Sequence, residues 1–319
     1  MGEPTIQITV RGKPQVLPSI AVGGGTAIVR GGLLTTAEIF DEYWLELRNV
    51  PDPLRVLDDC KALARRPDLF TFAQRVPDVR PRFDFFMEPD NIAVVPLSSY
   101  DHWLSKQVTA ATRRNIKAAM NRGVVVRAVE FDDAYVRGIM SIYNETPIRQ
   151  GRRFWHYGKD FTTVERENGT YKDRSTFLAA YVAGEMIGYL KIVWDERTAA
   201  IMQVLSKTES YDKRPNNALI AEAVRLCCGR GIQHLLYEHF VYANKSNSSL
   251  TEFKRNNGFS RVDVPRYYVP LTLKGAIALK FGLHRGAKDR LPSWVRSRWP
   301  ELRAKWYKLR SPRQTAPAA

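Results

Sequence analysis

Residues 176–206 read TFLAAYVAGEMIGYLKIVWDERTAAIMQVLS. Three runs rich in β-branched, aromatic and other apolar residues, Thr176–Val182, Met186–Trp194 and Ala199–Ser206, are separated by Ala183-Gly184-Glu185 and Asp195-Glu196-Arg197. Short apolar runs with interruptions of three and four residues spell strands joined by tight turns. The period then changes. A loop, KTESYDKRP, opens a helix from Asn216 to about Gly229, whose buried face is marked by Leu219, Ile220, Ala223, Val224 and Cys227. Gly231 ends it, and Gln233–Glu238 reads as a further strand.

The same logic extends both ways. Upstream, Val124–Glu130 (VVVRAVE) is a strand, and Asp132 caps a helix through about Asn144 with Tyr135, Ile139 and Ile142 on one face. A short helix falls near Phe161–Glu167. Ser98-Ser99-Tyr100-Asp101 is a capping box that predicts a helix running towards Gly123. Downstream, Ser248–Asn256 is a helix ended by Asn257-Gly258, and a last strand runs from Phe259 to Tyr268. Residues 1–97 read as short strands (6–10, 27–30, 83–86 and 92–95) with two helices. One spans about Ala37–Arg48; the other starts after Pro53 and ends before Pro67. The triplet Gly23-Gly24-Gly25 reads as a turn, because Ile28 stands where a dinucleotide fingerprint needs its third glycine.

Composition narrows the function classes. The chain has 319 residues, 49 Lys and Arg against 33 Asp and Glu, and a net charge of +16. Neither a secretory signal nor an apolar run of membrane-spanning length is visible, so a cytoplasmic location is expected. Cys60, Cys227 and Cys228 provide neither a disulfide framework nor a zinc set, and His234 and His239 are five apart on a strand, so no metal is expected. From Leu271 onwards twelve Lys or Arg face only Asp289 and Glu301, interleaved with Trp294, Trp299 and Trp306. Residues 273–319 are thus expected to lie on an anionic membrane surface, at its inner face, as basic helices. A second basic run, Lys106, Arg113, Arg114, Lys117, Arg122 and Arg127, is compatible with tRNA.

One segment has neither helical nor strand period: NETPIRQGRRFWHYGKDF, residues 144–161. Its arginines suit a carboxylate or phosphate, and its aromatics suit a sugar or the exclusion of water. Arg149, Arg152, Arg153, Trp155 and Tyr157 are the candidate acceptor-binding residues, although pairing of the arginines with Glu145, Asp160 and Glu165 is a structural alternative.

The element order from Val124, β-α-(short α)-β-β-β-α-β-α-β, resembles the Gcn5-related acyltransferase (GNAT) fold. Asn247, Leu250, Phe253, Gly258 and Phe259 look like its closing motif. Three stretches resemble the FemAB group, the peptidoglycan-bridge aminoacyltransferases: TRRNIKAAMNRGV (112–124), Phe253-Lys254, and PRYYVPLT (265–272). The implied class is α+β, a mixed and mostly antiparallel sheet flanked by helices. Residues 1–97 would form a reduced N-terminal GNAT-like subdomain, 98–272 the acyltransferase domain and 273–319 a basic tail.

The resemblance implies an N-acyltransferase acting on an amine of a cell-envelope or polysaccharide precursor, with a small-molecule, glycan or peptide acceptor. A non-catalytic GNAT-like protein that binds RNA or an anionic membrane is the alternative. The donor-binding loop would be Lys207, Lys213, Arg214, Pro215, Asn216 and Asn217, which lacks the glycines of acetyl-CoA users, so acyl-CoA and aminoacyl-tRNA both stay open as donor. Lys254 matches the position of the family's leaving-group acid. For the base, Glu145, His156, Glu238 and His239 are candidates, with Tyr242 on the same strand edge. His156, between Trp155 and Tyr157, reads equally well as a packed member of an aromatic cluster.

Overall fold

The computed structural model describes residues 4–10, 13–22, 25–63, 65–242 and 248–285. The first half comprises β1 (Thr5–Val10), β2 (Lys13–Val22), β3 (Gly25–Arg30), β4 (Thr36–Ile39), α1 (Pro53–Ala62), β5 (Leu69–Ala73) and β6 (Phe86–Pro96). The second begins with α2 (Tyr100–His102), α3 (Ala110–Asn121), β7 (Val125–Val129), α4 (Asp133–Asn144), a two-stranded hairpin β8 (Ile148–Arg149) and β9 (Arg152–Arg153), and α5 (Phe161–Asn168). It continues with β10 (Ser175–Val182), β11 (Glu185–Trp194), β12 (Thr198–Ser206), α6 (Pro215–Gly229), β13 (His234–His239), α7 (Ser249–Asn256), β14 (Ser260–Pro270) and α8 (Leu273–Lys280).

Among the described residues twelve strands join in one sheet, in the order β1-β2-β3-β4-β5-β14-β6-β13-β12-β11-β10-β7. The order has a two-fold logic. Each half runs an antiparallel meander and then a parallel step around a helix: β4 to β5 across α1, and β12 to β13 across α6. Each half then sends its last strand to the other. β6 pairs antiparallel with β13, β14 pairs antiparallel with β5, and β6 and β14 pair with each other at the centre.

Burial follows from this layering. Residues Met186–Val193 of β11 are buried without a break, because helices cover both faces there. On one face α6 and the α2–α3 segment pack Leu219, Ile220, Val224, Ile116 and Trp103 against Leu178, Leu190 and Ile192. On the other, Tyr135, Ile139, Tyr143 and Val164 of α4 and α5 meet Phe177, Ala179 and Tyr189. Lys191, almost fully buried on that face, donates to the carbonyls of Asn168 (2.9 Å) and Thr170 at the end of α5.

The strands expected across 176–206, the helices at 132–144 and 216–229 and the strand at 233–238 lie where the sequence places them, within a few residues. Three expectations are corrected. Residues 37–48 are not a helix: Ala37 and Ile39 alternate inward on β4, which pairs with β3 and β5, and Asp41 turns the chain with φ 54°. The apolar spacing that mimics a helix there is an alternation followed by turns. The helix expected from Ser99 towards Gly123 is broken: α2 runs into a π-helical turn (Trp103–Gln107), Val108 is extended, and Thr109 caps α3 afresh by accepting from Thr112 N. The break lets Trp103 Nε1 donate to Asn257 O (3.0 Å) and Thr109 N to Asn256 O (3.1 Å), docking this segment on the end of α7. The strand expected at 83–86 does not form: only Phe86 belongs to β6, while Phe83 and Phe85 pack on the Phe72 ring. Strands β2, β5, β8 and β9 and most of β6 have no counterpart in the sequence expectation.

In the basic tail only 273–285 are described, with α8 packed on β14; Trp294, Trp299 and Trp306 lie outside the described residues, as do Gly23, Gly24 and Asn247. No described helix is long and apolar enough to cross a membrane.

The central strands carry a buried polar link: Tyr267 Oη on β14 donates to Gln74 Oε1 (2.5 Å) and accepts from Arg82 N (2.9 Å). Tyr267→Phe removes both bonds but leaves Arg82 N donating to Gln74 Oε1 (3.0 Å), so it should cost about 0.5–1.5 kcal/mol. Urea unfolding should show that loss with an unchanged slope.

Candidate active site

β12 and β13 pair over only three residues, ending at Ala200↔Leu236, and then part. The cause is visible on β13. Its register with β6 shifts between Leu236 and His239, and Glu238 takes φ +43°, a conformation costing a non-glycine residue about 1–3 kcal/mol. Lys254 of α7 braces that kink. Its Nζ donates to Tyr237 O and His239 O, each at 2.7 Å, on either side of the strained residue. It is fully buried, with the Tyr237 ring 4.1 Å away and the Tyr242 ring 4.9 Å away. Burial pushes its pKa down to about 8. From β6, Asn91 fixes the far end: its carbonyl accepts from Phe240 N (3.3 Å) and its Oδ1 from Val241 N (2.6 Å).

Two cavities meet at the kink. One, about 300 Å³, is walled by Val76, Ile92, Ala200, Leu236 and Val264. Its neighbour, about 620 Å³, is polar and includes Glu42, Asp90, Arg266 and Tyr268 in its lining. Tyr43, Trp44 and His239 line both. Arg266 organises the polar side: Nε donates to Asp90 Oδ2 (2.9 Å), Nη2 to Glu42 Oε2 (2.9 Å) and to Tyr43 Oη (2.5 Å). Tyr43 in turn donates to Asp90. Despite burial, the hydrogen bond to His239 and then Arg266 and Tyr43 hold the Asp90 carboxyl well below its usual range, whereas burial raises Glu42. His239 Nδ1 stands 3.3 Å from Asp90 Oδ1 and 3.1 Å from Asn91 O; the Asp90 hydrogen bond raises the imidazole above its ordinary value.

The residues expected from sequence fall into three places. Glu238, Tyr242 and Lys254 come together at the kink, where Tyr242 Oη donates to the Glu238 carboxylate. Glu145 and Arg149 form a second group. Glu145 accepts from Thr208 N (2.7 Å) and Glu209 N (2.8 Å), and Arg149 bridges Glu145 (2.8 Å) to Ser206 O (2.9 Å), so the pair ties the hairpin to the end of β12. Arg152, Arg153, Trp155 and Tyr157 are exposed on or beside the hairpin and line neither cavity.

His156 packs within an aromatic cluster, its ring centroid 3.5 Å from that of Trp155 and 4.2 Å from that of Tyr143. At the start of α6, Arg214 adopts φ 58°, and its carbonyl accepts from Asn217 N (3.1 Å) and Ala218 N (3.3 Å). Pro215 has no N–H, so the usual amide cradle for a phosphate is largely spent; Lys213 and the exposed Arg214 stand beside this helix start. Lys207 is turned away, paired with Glu185 and Glu209. The buried Ser206 Oγ and Asn216 Oδ1 have no protein hydrogen-bond partner among the described residues.

Asp90, Arg266, Tyr43 and Glu42 were not among the expected site residues. Arg266 lies in the quoted PRYYVPLT, but its partner Asp90 is 176 residues away, and nothing local marks the pair.

Residues 107–240 match the family model of the acetyltransferase (GNAT) domain, and they include the meander, α6 and the kinked strand just described. The chain therefore carries a GNAT-superfamily domain and is an acyltransferase by class. Its relatives in fold include FemAB-like proteins. FemX is 10% identical and aligns at a TM-score of 0.51, covering 87% of this chain and 89% of that one. The C-terminal domain of a protein assigned as a lysylphosphatidylglycerol synthetase from Agrobacterium fabrum is 13% identical, with a TM-score of 0.54 over 84% of this chain and 88% of its own. A conserved protein of unknown function from Bacteroides thetaiotaomicron, 9% identical, aligns at 0.53 over 80% and 86%. At these identities the likeness is one of fold. No curated protein matches the sequence.

The His156 environment makes a pH prediction. Burial, then the charges of Lys159 and Arg149, push the imidazole from 6.5 down to about 3. The unfolded chain takes a proton near 6.5 and the folded one does not, so this group withdraws stability as pH falls from 6.5 towards 3. In His156→Phe, the loss of denaturation midpoint over that window should be shallower than in the wild type.

Proposed function

We propose that the chain transfers an acyl or aminoacyl group to an amine on a cell-envelope or polysaccharide precursor, at the opening between β12 and β13. The observation that carries this reading is the parting of those strands beyond Ala200 and Leu236, within the segment that matches the acetyltransferase family. The fold likeness to FemX and to a domain of a protein assigned as a lysylphosphatidylglycerol synthetase supports the envelope as the setting. Small acceptors and lipid- or nucleotide-linked ones are both compatible with a polar cavity of about 620 Å³.

Direct attack by the amine requires a lone pair free of its proton, a stabilised oxyanion and a leaving group that regains a proton. Lys254 acts on this geometry from behind. Two of its N–H groups are committed to main-chain carbonyls, so its task is to hold the strand edge at Glu238 and His239 where the reacting groups meet. Lys213 and Arg214, at the mouth of α6, take the phosphates of the donor by charge. That mode serves acyl-CoA and aminoacyl-tRNA alike, and each supplies an activated acyl carbon when bound.

A thermal-shift panel of acetyl-CoA, longer acyl-CoAs and aminoacyl-tRNAs, followed by transfer assays with an amine-bearing peptidoglycan precursor, tests the proposal. One donor class should raise the melting temperature and give product. No shift and no product with any donor would contradict the reading. Lys254→Met should lower transfer about a hundredfold or more, with the chain still folded at 25 °C. Undiminished transfer would remove Lys254 from the site.

A further inference from the structure

His239 is poorly explained as a packing residue. It sits on the strained turn of β13, is 39% exposed at its side chain, and lines both cavities. Its two ring nitrogens have opposite circumstances. Nδ1 faces two acceptors, Asp90 Oδ1 and Asn91 O, which together hold its proton there. Nε2 has no hydrogen-bond partner among the described residues, and the residue lines both cavities, so its lone pair is uncommitted beside them. A carboxylate that orients an imidazole whose other nitrogen is free is the arrangement of a base with its orienting group. Asp90 is itself immobilised by Arg266 and Tyr43, and the rings of Tyr43 (6.1 Å) and Tyr242 (5.7 Å) stand edge-on to the imidazole.

We propose that His239, oriented by Asp90, is the base that takes the proton from the acceptor amine, with the acyl group in the apolar cavity and the amine arriving from the polar one. The inference rests on the acyl-transfer reading above. The amine nitrogen's lone pair forms the new N–C bond while its proton passes to His239 Nε2. The bond from the acyl carbon to the donor's sulfur or oxygen then breaks with its electron pair on that atom. The imidazolium returns the proton there, so the protein ends as it began. Asp90 is a positioning residue: it touches neither reactant, keeps the proton on Nδ1 and stabilises the transient charge. The two halves of the chain thus supply one site, Asp90 coming from β6 and His239 from β13.

The charged and titratable groups around the imidazole are Asp90 from β6, Glu238 and Tyr242 on its own segment, Tyr43 from the loop after β4, Arg266 from β14 and Lys254 from α7 through the His239 carbonyl. Asp90 outweighs the rest in raising the imidazole. A base works when neutral, so transfer should rise with pH along an acid limb set by that raised value. Asp90→Asn should move the limb to lower pH while lowering the plateau.

Carbethoxylation by diethyl pyrocarbonate, mapped by peptide mass, tests His239 without any substrate, because the reagent takes only an accessible, unprotonated imidazole nitrogen. His239 should label, with a pH midpoint above that of free histidine, and the midpoint should fall in Asp90→Asn. Should that variant not fold, the wild-type midpoint decides alone, with Tyr43→Phe as a variant that keeps the carboxylate. A His239 that stays unlabelled while the exposed His102 reacts, or a midpoint no higher than that of free histidine, would overturn the proposal. With a productive donor and acceptor, His239→Gln should cut kcat by about 10²–10⁴ with KM little changed and the acid limb lost. Unchanged kcat would overturn it too. Absence of turnover in the wild type counts against the acyl-transfer reading, and the labelling still decides on His239.

Discussion

The antiparallel pairing of β6 with β14, from Tyr268↔Phe86 to Ser260↔Val94, is the constraint on which the rest of the molecule depends. Each strand ends one half of the chain and lies against the next-to-last strand of the other. Neither half can therefore complete its sheet alone. Val94 and Ile92 on β6 and Val264 on β14 share a small apolar cluster, and Leu236 of β13 packs on it. The same crossing brings Asp90 within reach of Arg266 and of His239, so the pairing that closes the fold also assembles the polar side of the candidate site.

A second consequence concerns β13. Held by β6 on one side, it can keep its bonds to β12 only briefly before its register shifts. The shift falls on Glu238, and the strain is absorbed by Lys254, which satisfies the carbonyls on both sides of it. A buried ammonium is costly without partners. Here it has two carbonyls and two aromatic rings, so the opening between the strands is a braced feature rather than a frayed edge.

What was legible in the sequence follows from range. The meander at 176–206 and helix α6 are local patterns of composition and period, and they are visible because burial on both faces leaves long apolar runs. Ala37 and Ile39 misled because a four-residue strand followed by turns carries too few positions to separate a period of 2 from one of 3.6. β2 and β5 escaped notice for different reasons. The former holds two prolines and faces solvent over much of its length; the latter is five residues long and buried almost throughout. Lys254 was found only through resemblance to a family motif, since as a lysine on an eight-residue helix it is indistinguishable from a surface charge. The Asp90–Arg266–Glu42 network is beyond any single-sequence reading, because each contact joins segments far apart in the chain. In the β8–β9 hairpin, Arg149 turns inward to Glu145 and Ser206, while its neighbours Arg152 and Arg153 are exposed.

The proposed place of acyl transfer is the point where β12 and β13 part, between the two halves of the sheet. A crystal structure with a stable thioether or amide analogue of the acyl donor tests it most directly. The analogue's reacting carbon should lie in the opening beyond Ala200 and Leu236, facing His239, with its phosphates towards Lys213 and Arg214. An analogue bound instead on the 144–161 hairpin, with that opening closed by side chains, would contradict it.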